Sequence, residues 1–332
     1  SRAMGFRVKL VASVLALALA SVSVGGAQAQ SITQALTQAY DYAPDLQAAL
    51  LEAKASAENV ALANAGKRPT IGASFGGTRT LSLPAQSNQW NDSTAFNAGL
   101  QYNQTIFDNY KTDAQIEAAR AGAEAAEHQI RNAEQNVLLA VVQAYMSVLS
   151  GRQLVALRQE NVTFFEAQLQ SAQDRLDVGE GTRIDVAQAE ARKAQGDATY
   201  RAALSNLEIS EATFQRYVGV APRNLDASHN YSRLIPSSLQ AAIADAEVGH
   251  PAILLSKAAI RAAQAGTDAA QASFGPTASI TGQVGNRWTL GGGMQDGLSA
   301  SLGFSITVPL YAGGAIGAGV RKANIEQIKS EV

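Results

Sequence analysis

Three histidines, His128, His229 and His250, are the side chains best suited to bind a metal or to act as general bases. They are scattered along the chain without the short spacing of metal ligands. The absence of cysteine excludes disulfides, thiolate zinc sites and a cysteine nucleophile. The three glycines at 291–293 lie in a predicted hairpin loop, so they do not form a phosphate-binding turn between a strand and a helix. No nucleophile, base and orienting residue can be assembled, and we predict neither an enzyme nor a cofactor.

A short segment at residues 178–189, with the sequence VGEGTRIDVAQA, carries a different kind of chemistry. Gly179 and Gly181 can end a helix because glycine accepts a left-handed backbone, and Asp185 suits the first turn of the helix that follows. Glu180 and Arg183 fit a solvated turn equally well. The pattern predicts a tight turn between two helices, whose polar groups either cap the helices or form contacts that break and reform.

The composition restricts the classes of molecule that the protein can bind. The net charge is −2 and the sequence pI is about 6.0, so no basic surface is available to hold nucleic acid. Charged residues make up 16% of the chain, against roughly 25% in an average soluble domain. This deficit is a weak indication of membrane contact.

The first 29 residues have the layout of a secretory signal peptide. Basic residues precede an apolar run at residues 10–24, and small residues follow it up to Ala29, after which cleavage is expected. The alternative is a transmembrane anchor, for which the run is short against the ~20 residues needed to span a bilayer. After residue 30 the longest apolar run is 137–142, so we expect any membrane-spanning segments to be strands.

Four later segments alternate apolar and polar residues over about ten positions, the length of a tilted membrane strand. Their apolar faces comprise Ile71, Ala73 and Phe75; Phe96, Ala98, Leu100, Tyr102 and Ile106; Ala278, Ile280 and Val284; and Leu298, Ala300, Leu302, Phe304, Ile306 and Val308. The opposite faces are small and hydroxyl-rich, as the wall of a water-filled channel would be. Only Arg79 and Arg287 are charged, each near a strand end. A soluble half-buried sheet remains the alternative, although its wet face usually carries more charge.

Polar links at 81–93 and 289–297 should join the strands pairwise into hairpins, with Trp90 and Trp288 near the tips. Four strands cannot close a barrel, and lipid does not tolerate open strand edges. We therefore expect subunits to share strands, and three copies would supply twelve, enough for an aqueous lumen.

The rest of the chain predicts long helices. Residues 112–178 contain no proline and could form a helix of ~100 Å. Its heptad seam comprises Val141, Val148, Val155, Val162, Leu169 and Leu176, with Ala144, Gly151, Phe165 and Ala172 three positions later. A second seam at 184–217 should pack along the first, with Arg158 and Lys193 as polar interruptions. An ordinary helical bundle is the alternative, but its helices average three or four turns.

An internal duplication organises these elements. A shift of 207 residues superposes Pro44 on Pro251, and after the hairpin a shift of 204 superposes Phe107 on Tyr311. The order helix, strand, strand, helix therefore occurs twice. The second copy stops at Val332, so we expect the chain to be a fragment that lacks roughly 95 residues, a second helical hairpin.

The predicted fold class is a membrane protein of separate helical and β parts. The predicted boundaries are 1–29 for the signal peptide, 30–69 for the first N-terminal helices, 70–106 for the first β-hairpin, 107–217 for the long helical hairpin, 218–240 for the linker, 241–275 for the second-repeat helix, 276–310 for the second β-hairpin and 311–332 for the start of a second long helix.

The export signal, the duplicated order and two motifs resemble the TolC family of outer-membrane efflux proteins, over essentially all of residues 30–332. The turn at 178–189 matches the family's helix-hairpin tip, and the stretch Pro309–Gly314 resembles a second family signature. The resemblance implies a homotrimer with a 12-stranded barrel in outer-membrane lipid and a helical tunnel in the periplasm. It also implies a passive exit channel for a tripartite efflux pump or type I secretion system, working with a periplasmic adaptor and an inner-membrane transporter.

The same resemblance assigns residues of the turn. The positions matching the adaptor contact are Val178, Gly179 and Glu180, and those at the closed tunnel end are Thr182, Arg183 and Asp185. Ile184 stands where the best-known member has a hydroxyl residue, so the closing contacts should differ in detail. An exported structural or adhesin-like helical protein with no transport role is the alternative function. The sequence does not identify the cargo.

Overall fold

The computed structural model describes residues 29–290 and 296–332. The predicted signal peptide, apart from Ala29, and the glycines at 291–293 lie outside the described residues. The helices are α1 (Ile32–Tyr42), α2 (Pro44–Asn64), α3 (Lys111–Asp177), α4 (Arg183–Val218), α5 (Leu239–Gly249), α6 (Pro251–Ala272) and α7 (Ala315–Glu331). The strands are β1 (Thr70–Ser82), β2 (Asn91–Phe107), β3 (Thr277–Leu290) and β4 (Gly297–Thr307). Among the described residues these elements belong to two compact units, residues 29–43 with 138–232 and residues 44–137 with 233–290 and 296–332.

The element boundaries confirm the duplication. Helices α1 and α5 begin 207 residues apart, as do α2 and α6, and as do β1 and β3. Helices α3 and α7 begin 204 residues apart, so the three-residue difference arises within the hairpins. Pro44 and Pro251 each start a helix directly after a break, because proline fits the first turn but cannot continue a preceding helix.

In the first unit, α3 and α4 pack along the predicted seam. Glycines on each helix admit large side chains of the other. A Cβ built on Gly196 would lie 2.7 Å from Phe165 Cδ2, and one on Gly151 would lie 3.2 Å from Leu207 Cδ1. Lys193, the predicted interruption, turns to Asp197 on its own helix at 3.1 Å. Small residues in the seam therefore set how closely the two helices approach.

A buried tyrosine organises the other end of this unit. Tyr145 is fully buried against Phe214, and its hydroxyl donates to the Gln30 carbonyl at 2.9 Å and also reaches the Asp226 carbonyl. Gln30 N–H donates to the Asn224 carbonyl at 2.6 Å, and Asp226 N–H donates to the Gln30 carbonyl at 3.0 Å. Burial raises the pKa of the Tyr145 phenol, which keeps its proton available for these bonds.

In the second unit, the four strands form one antiparallel sheet in the order β1-β2-β3-β4. The register places Ala73, Leu100, Val284 and Ala300 side by side across the sheet. Since partners in register point to the same side, the apolar faces predicted for the separate strands form one continuous face. The two hairpins meet where β2 pairs with β3.

Three strand predictions were wrong in detail. A bulge between Thr105 and Phe107 makes Ile106 an additional residue, and Phe107 takes the position opposite Ala278 on the apolar face. Trp288 lies near the end of β3, where it pairs with Phe96, but β3 continues to Leu290 and so extends into the predicted second link. The first link is also shorter than predicted, since β1 and β2 extend into it as far as Ser82 and Asn91.

The ion pair between Arg79 and Asp92, at the end of the first hairpin, lies on the apolar face of the sheet. Arg79 and Asp92 occupy diagonal positions across β1 and β2, on the side shared by Phe75 and Phe96. Arg79 donates to both carboxylate oxygens of Asp92, at 3.0 and 2.6 Å. The pair lies beyond the stacked rings of Phe75 and Phe96, so it marks the end of the apolar band.

Helix α3 has the composition of a membrane span over part of its length. One 18-residue window has a mean hydropathy of 1.3, and 28% of it is buried within the described chain. The expectation that no apolar stretch after residue 30 is long enough to span a bilayer as a helix was wrong by this measure, because apolar residues on both sides of Gln143 raise the mean without lengthening the longest run. Buried seam residues such as Val141 and Val148 also raise it, and composition alone does not separate a seam from a span.

Arginine substitutions can test the two faces of the sheet. If the apolar face contacts lipid as the sequence predicts, Leu100→Arg or Leu302→Arg should prevent assembly in the membrane, since a lipid-facing charge at the bilayer midplane costs ~2–4 kcal/mol. Gln101→Arg and Ser301→Arg, one residue away on the polar face, are the matched controls and should assemble. The measurement is the yield of folded, heat-modifiable protein in outer-membrane fractions. Equal yields from both pairs would contradict the assigned faces.

The seam glycine offers a second test. Gly196→Leu should destabilise the α3–α4 hairpin by about 1–3 kcal/mol, because the new side chain must displace the Phe165 ring. Gly122→Ala, where the added methyl has open space, should instead stabilise by about 0.5–1 kcal/mol through helix propensity. Thermal unfolding of the purified protein, followed by the helical circular dichroism signal, compares the two. A seam variant as stable as wild type would show that Phe165 does not fill the space over Gly196.

Candidate functional site at the turn between α3 and α4

The end of α3 is a glycine-terminated motif. Gly179 has φ +83°, a left-handed conformation, and its N–H donates to the Leu176 carbonyl at 3.0 Å. Glu180 N–H donates to the Arg175 carbonyl at 2.8 Å. These two bonds satisfy carbonyls that the helix leaves unpaired, and they require a residue that accepts positive φ. Gly179 is therefore fixed by helix termination.

Gly181 brings the chain back against α3. Its N–H also donates to the Arg175 carbonyl, at 3.0 Å, and a Cβ there would lie 3.0 Å from Arg175 Cβ and 3.2 Å from Leu176 N. Any side chain would push the turn away from the helix. The short sequence between the two helices thus needs glycine at 179 for its dihedral angle and at 181 for space.

Helix α4 begins with a reciprocal cap. Thr182 Oγ1 accepts from Asp185 N–H at 3.1 Å, while Asp185 Oδ2 accepts from Thr182 N–H at 3.0 Å and from the Thr182 hydroxyl at 2.8 Å. This is a capping box closed by aspartate. The Thr182 bonds, and then the Arg175 charge, hold the pKa of the Asp185 carboxyl below its ordinary value of 3.8.

The structure brings some of the predicted site residues together and leaves others apart. Thr182 and Asp185 bind each other, whereas the Arg183 side chain makes no hydrogen bond or ion pair with any residue in the described ranges. Val178 is 71% exposed, and the neighbouring Glu180 is exposed at the apex of the turn. The turn thus presents one large apolar side chain and one acidic side chain outward.

A groove of about 380 Å³ lies between the two helices behind the turn. Its wall includes Phe164, Arg175, Asp185 and Arg192. Sequence reasoning missed both arginines and the exposed Phe164. Arg175 carried one signal, a basic residue in the last turn of a helix, but the groove itself depends on how α3 and α4 are paired.

The polar groups of the turn form weak, exposed contacts that are suited to reversible binding. Among residues 29–290 and 296–332, no three His, Cys, Asp or Glu side chains form a cluster that could hold a metal ion. The exposed carboxylates and guanidinium groups at the turn can exchange partners, because such pairs are weak in water.

Comparison with known proteins gives a consistent family. A family model described as outer membrane efflux protein matches residues 35–220. The outer membrane efflux protein BepC of Brucella suis is 35% identical over 327 residues, which cover 98% of this chain and 70% of BepC. The outer membrane protein TolC of Escherichia coli is 25% identical over 333 residues, covering 95% of this chain and 66% of TolC.

Structural comparison supports the same fold. The CmeC outer membrane channel of Campylobacter jejuni superposes with a TM-score of 0.76 at 17% identity, covering 90% of this chain and 66% of that one. Both the predicted resemblance and the predicted combination of long helices with a four-stranded antiparallel sheet are confirmed.

Removing the cap of α4 should weaken the turn in a pH-dependent way. Thr182→Ala removes the hydroxyl and should cost about 1 kcal/mol of stability. Because the pKa of Asp185 is lowered in the folded chain, the stabilisation from its carboxylate is complete above its unfolded pKa and is lost as pH falls through the lower folded value. Thermal unfolding of wild type and Asp185→Asn between pH 7 and pH 2 measures this. The difference in unfolding temperature between the two proteins should disappear only at the acid end of this range. A difference that does not change with pH would show that the carboxylate charge is not its source.

Proposed function

Because this chain belongs to the outer membrane efflux protein family, we propose that it forms a passive exit channel through the outer membrane for a tripartite efflux pump or a type I secretion system. The observation that carries the proposal is the sheet register, which gathers the apolar residues of all four strands on one face. A strand in lipid needs such a face on one side and a polar face toward the lumen on the other.

The dimensions of the apolar face suit a bilayer. From Leu298 to Val308 the fourth strand and the residue after it cover ~33 Å at 3.3 Å per residue. A strand tilted by 35–45° would give this segment a height of ~25 Å, the thickness of the apolar band of an outer-membrane barrel. Outer-membrane lipid would contact this face, and the helices would extend into the periplasm after export by the predicted signal peptide at residues 1–29.

The edges of the sheet support the proposal of a trimer. Within the described chain, β1 pairs only with β2, and β4 pairs only with β3. Backbone groups on these outer edges need partners in lipid. Pairing of β4 with β1 of the next copy would supply them, and three copies would close a barrel of twelve strands.

The turn between α3 and α4 would be the contact for a periplasmic adaptor, which links the channel to an inner-membrane transporter that supplies the energy. Val178, Gly179 and Glu180 form its exposed apex. Thr182, Arg183 and Asp185 are the proposed gate residues. In the single chain, Asp185 Oδ2 accepts the hydrogen bonds that cap α4. In the assembled channel, a gate contact would therefore have to use the other carboxylate oxygen, Oδ1, or replace the cap bonds.

Two variants distinguish a gating role of Asp185 from its role as a helix cap. Asp185→Ala should raise the resting conductance of the channel in planar bilayers and increase cellular sensitivity to bulky antibiotics, because it removes the carboxylate available to a neighbouring chain. Ser31→Ala, which removes the residue of the equivalent capping box at the start of α1, is the matched control for loss of a cap and should stay closed. Trimer yield in outer-membrane fractions must be equal for the comparison.

Two results would be decisive against parts of the proposal. If both variants lose thermal stability alike and neither changes conductance, Asp185 acts only as a cap. If the full-length protein in outer-membrane fractions neither trimerises nor conducts, the channel function itself is wrong.

A further inference from the structure

The polar face of the sheet carries a single charged side chain among the described residues of the four strands, that of Arg287. The register assigns to this face alternate residues of 70–82, 91–105, 277–289 and 297–307. Apart from Arg287, these residues are serine, threonine, asparagine, glutamine, glycine and alanine. Arg79 and Asp92 lie on the opposite face and pair with each other. Because a guanidinium group keeps its charge at physiological pH, the polar face has a net positive charge in each copy.

The position of Arg287 leaves its side chain accessible. It lies near the end of β3, on the side of the sheet where the hairpin links are. In the ladder it stands between Asn97 and Gly297, and Asn97 in turn pairs with Gly76. A Cβ on Gly297 would meet no described atom within 4 Å, and Gly285, two residues earlier on the same face, also lacks a side chain. With such small neighbours, the Arg287 side chain is exposed.

No acidic residue shares the polar face with Arg287 in the described parts of the strands. The acidic residue closest to it along the ladder is Asp296, which continues the alternation of β4 onto the apolar face. Its Oδ1 accepts from Thr289 N–H, which holds this carboxylate at the hairpin link. The intervening sequence at 291–295 contains neither aspartate nor glutamate. The strand ladder therefore supplies no carboxylate on the polar face to offset the charge of Arg287.

The size of the proposed barrel decides whether this charge acts across the lumen. Twelve strands spaced ~4.8 Å apart and tilted by ~40° form a ring with a radius on the order of 12 Å. The Debye length is about 10 Å at ~0.1 M salt, so the field of charges on the wall reaches the axis. The fields of like charges at one level add there, and low-dielectric walls focus them.

We propose that the Arg287 side chains of three copies form a positively charged ring near the outer end of the lumen, and that this ring favours the passage of anions over cations. The inference rests on the proposed function, because a lumen exists only in the assembled channel. Rings of arginine or lysine favour anions in pores by raising their local concentration and lowering that of cations. The solutes favoured at this level are therefore inorganic anions and small molecules that carry carboxylate, sulfate or phosphate groups.

Reversal potentials measure this preference directly. Full-length protein is reconstituted in planar bilayers that separate potassium chloride solutions of unequal concentration. Arg287→Gln should lower the ratio of chloride to potassium permeability by about two- to fivefold near ~0.1 M salt, since three charges lie about one Debye length from the axis. Arg287→Lys keeps the charge and should keep the wild-type ratio. At ~1 M salt, where the Debye length is about 3 Å, the difference between wild type and Arg287→Gln should disappear.

Moving the charge to a neighbouring position tests whether its place in the lumen matters. Ser299 lies diagonally across the ladder from Arg287 on the same face, so Arg287→Gln combined with Ser299→Arg should restore the wild-type ratio. If Arg287→Gln does not assemble, Ser299→Glu offsets the charge with Arg287 in place and should lower the ratio to a similar extent.

Two results would count against the ring in different ways. A conducting Arg287→Gln channel, or a conducting Ser299→Glu channel in its place, with the wild-type permeability ratio would overturn the ring and leave the channel function intact. If wild-type full-length protein forms no conducting channel at all, the proposed function is refuted, and the ring with it.

Discussion

A backbone that enters lipid must pair its N–H and C=O groups within the protein, and this requirement governs the β part of the structure. It explains why the strands are long and regularly paired, and why the two halves of the duplication meet at β2 and β3 rather than forming separate hairpins. The apolar side chains fix the register, since a slip of one residue would turn Leu100 and its neighbours to the polar side. The outer edges of β1 and β4, which have no partner strand within the described chain, are the reason for proposing that copies associate.

The helical part obeys a different constraint, the distance of closest approach between two long helices. Gly151 and Gly196 set that distance by receiving Leu207 and Phe165. The turn at the end of the pair must then reverse the chain within a few residues. Gly179 supplies the left-handed angle, Gly181 allows close approach and Thr182 starts the returning helix. The exposed Val178 and Glu180 are the residues of this turn whose side chains helix termination does not fix.

The sequence predicted best those features that repeat with a fixed period. Alternation located the four strands, the heptads located the seam, and Gly179 and Asp185 located the turn through well-defined helix signals. The bulge at Ile106 was missed because one additional residue leaves no trace in composition. The groove with Arg175 and Arg192 was missed because it exists only when α3 and α4 are paired. The left-handed backbone of Asn109 and Tyr110, with φ of +57° and +67°, was missed because neither residue is a glycine. The duplication aligns this pair with Gly313 and Gly314, which was a signal available from the sequence.

The bridge between Gln30 and residues 224–226 has a consequence for the order of folding. Gln30 Oε1 accepts from Arg223 N–H across a separation of 193 residues, and closing a flexible loop of that length would cost about 5 kcal/mol in chain entropy. The α3–α4 hairpin shortens this loop by bringing Tyr145 beside Phe214. The segment between Gln30 and Tyr145 still has to be closed after the hairpin has formed, so the bridge remains a long-range contact and is expected to form late on the folding pathway. During unfolding the N-terminal segment should detach first, exposing Tyr145 while the hairpin is still helical.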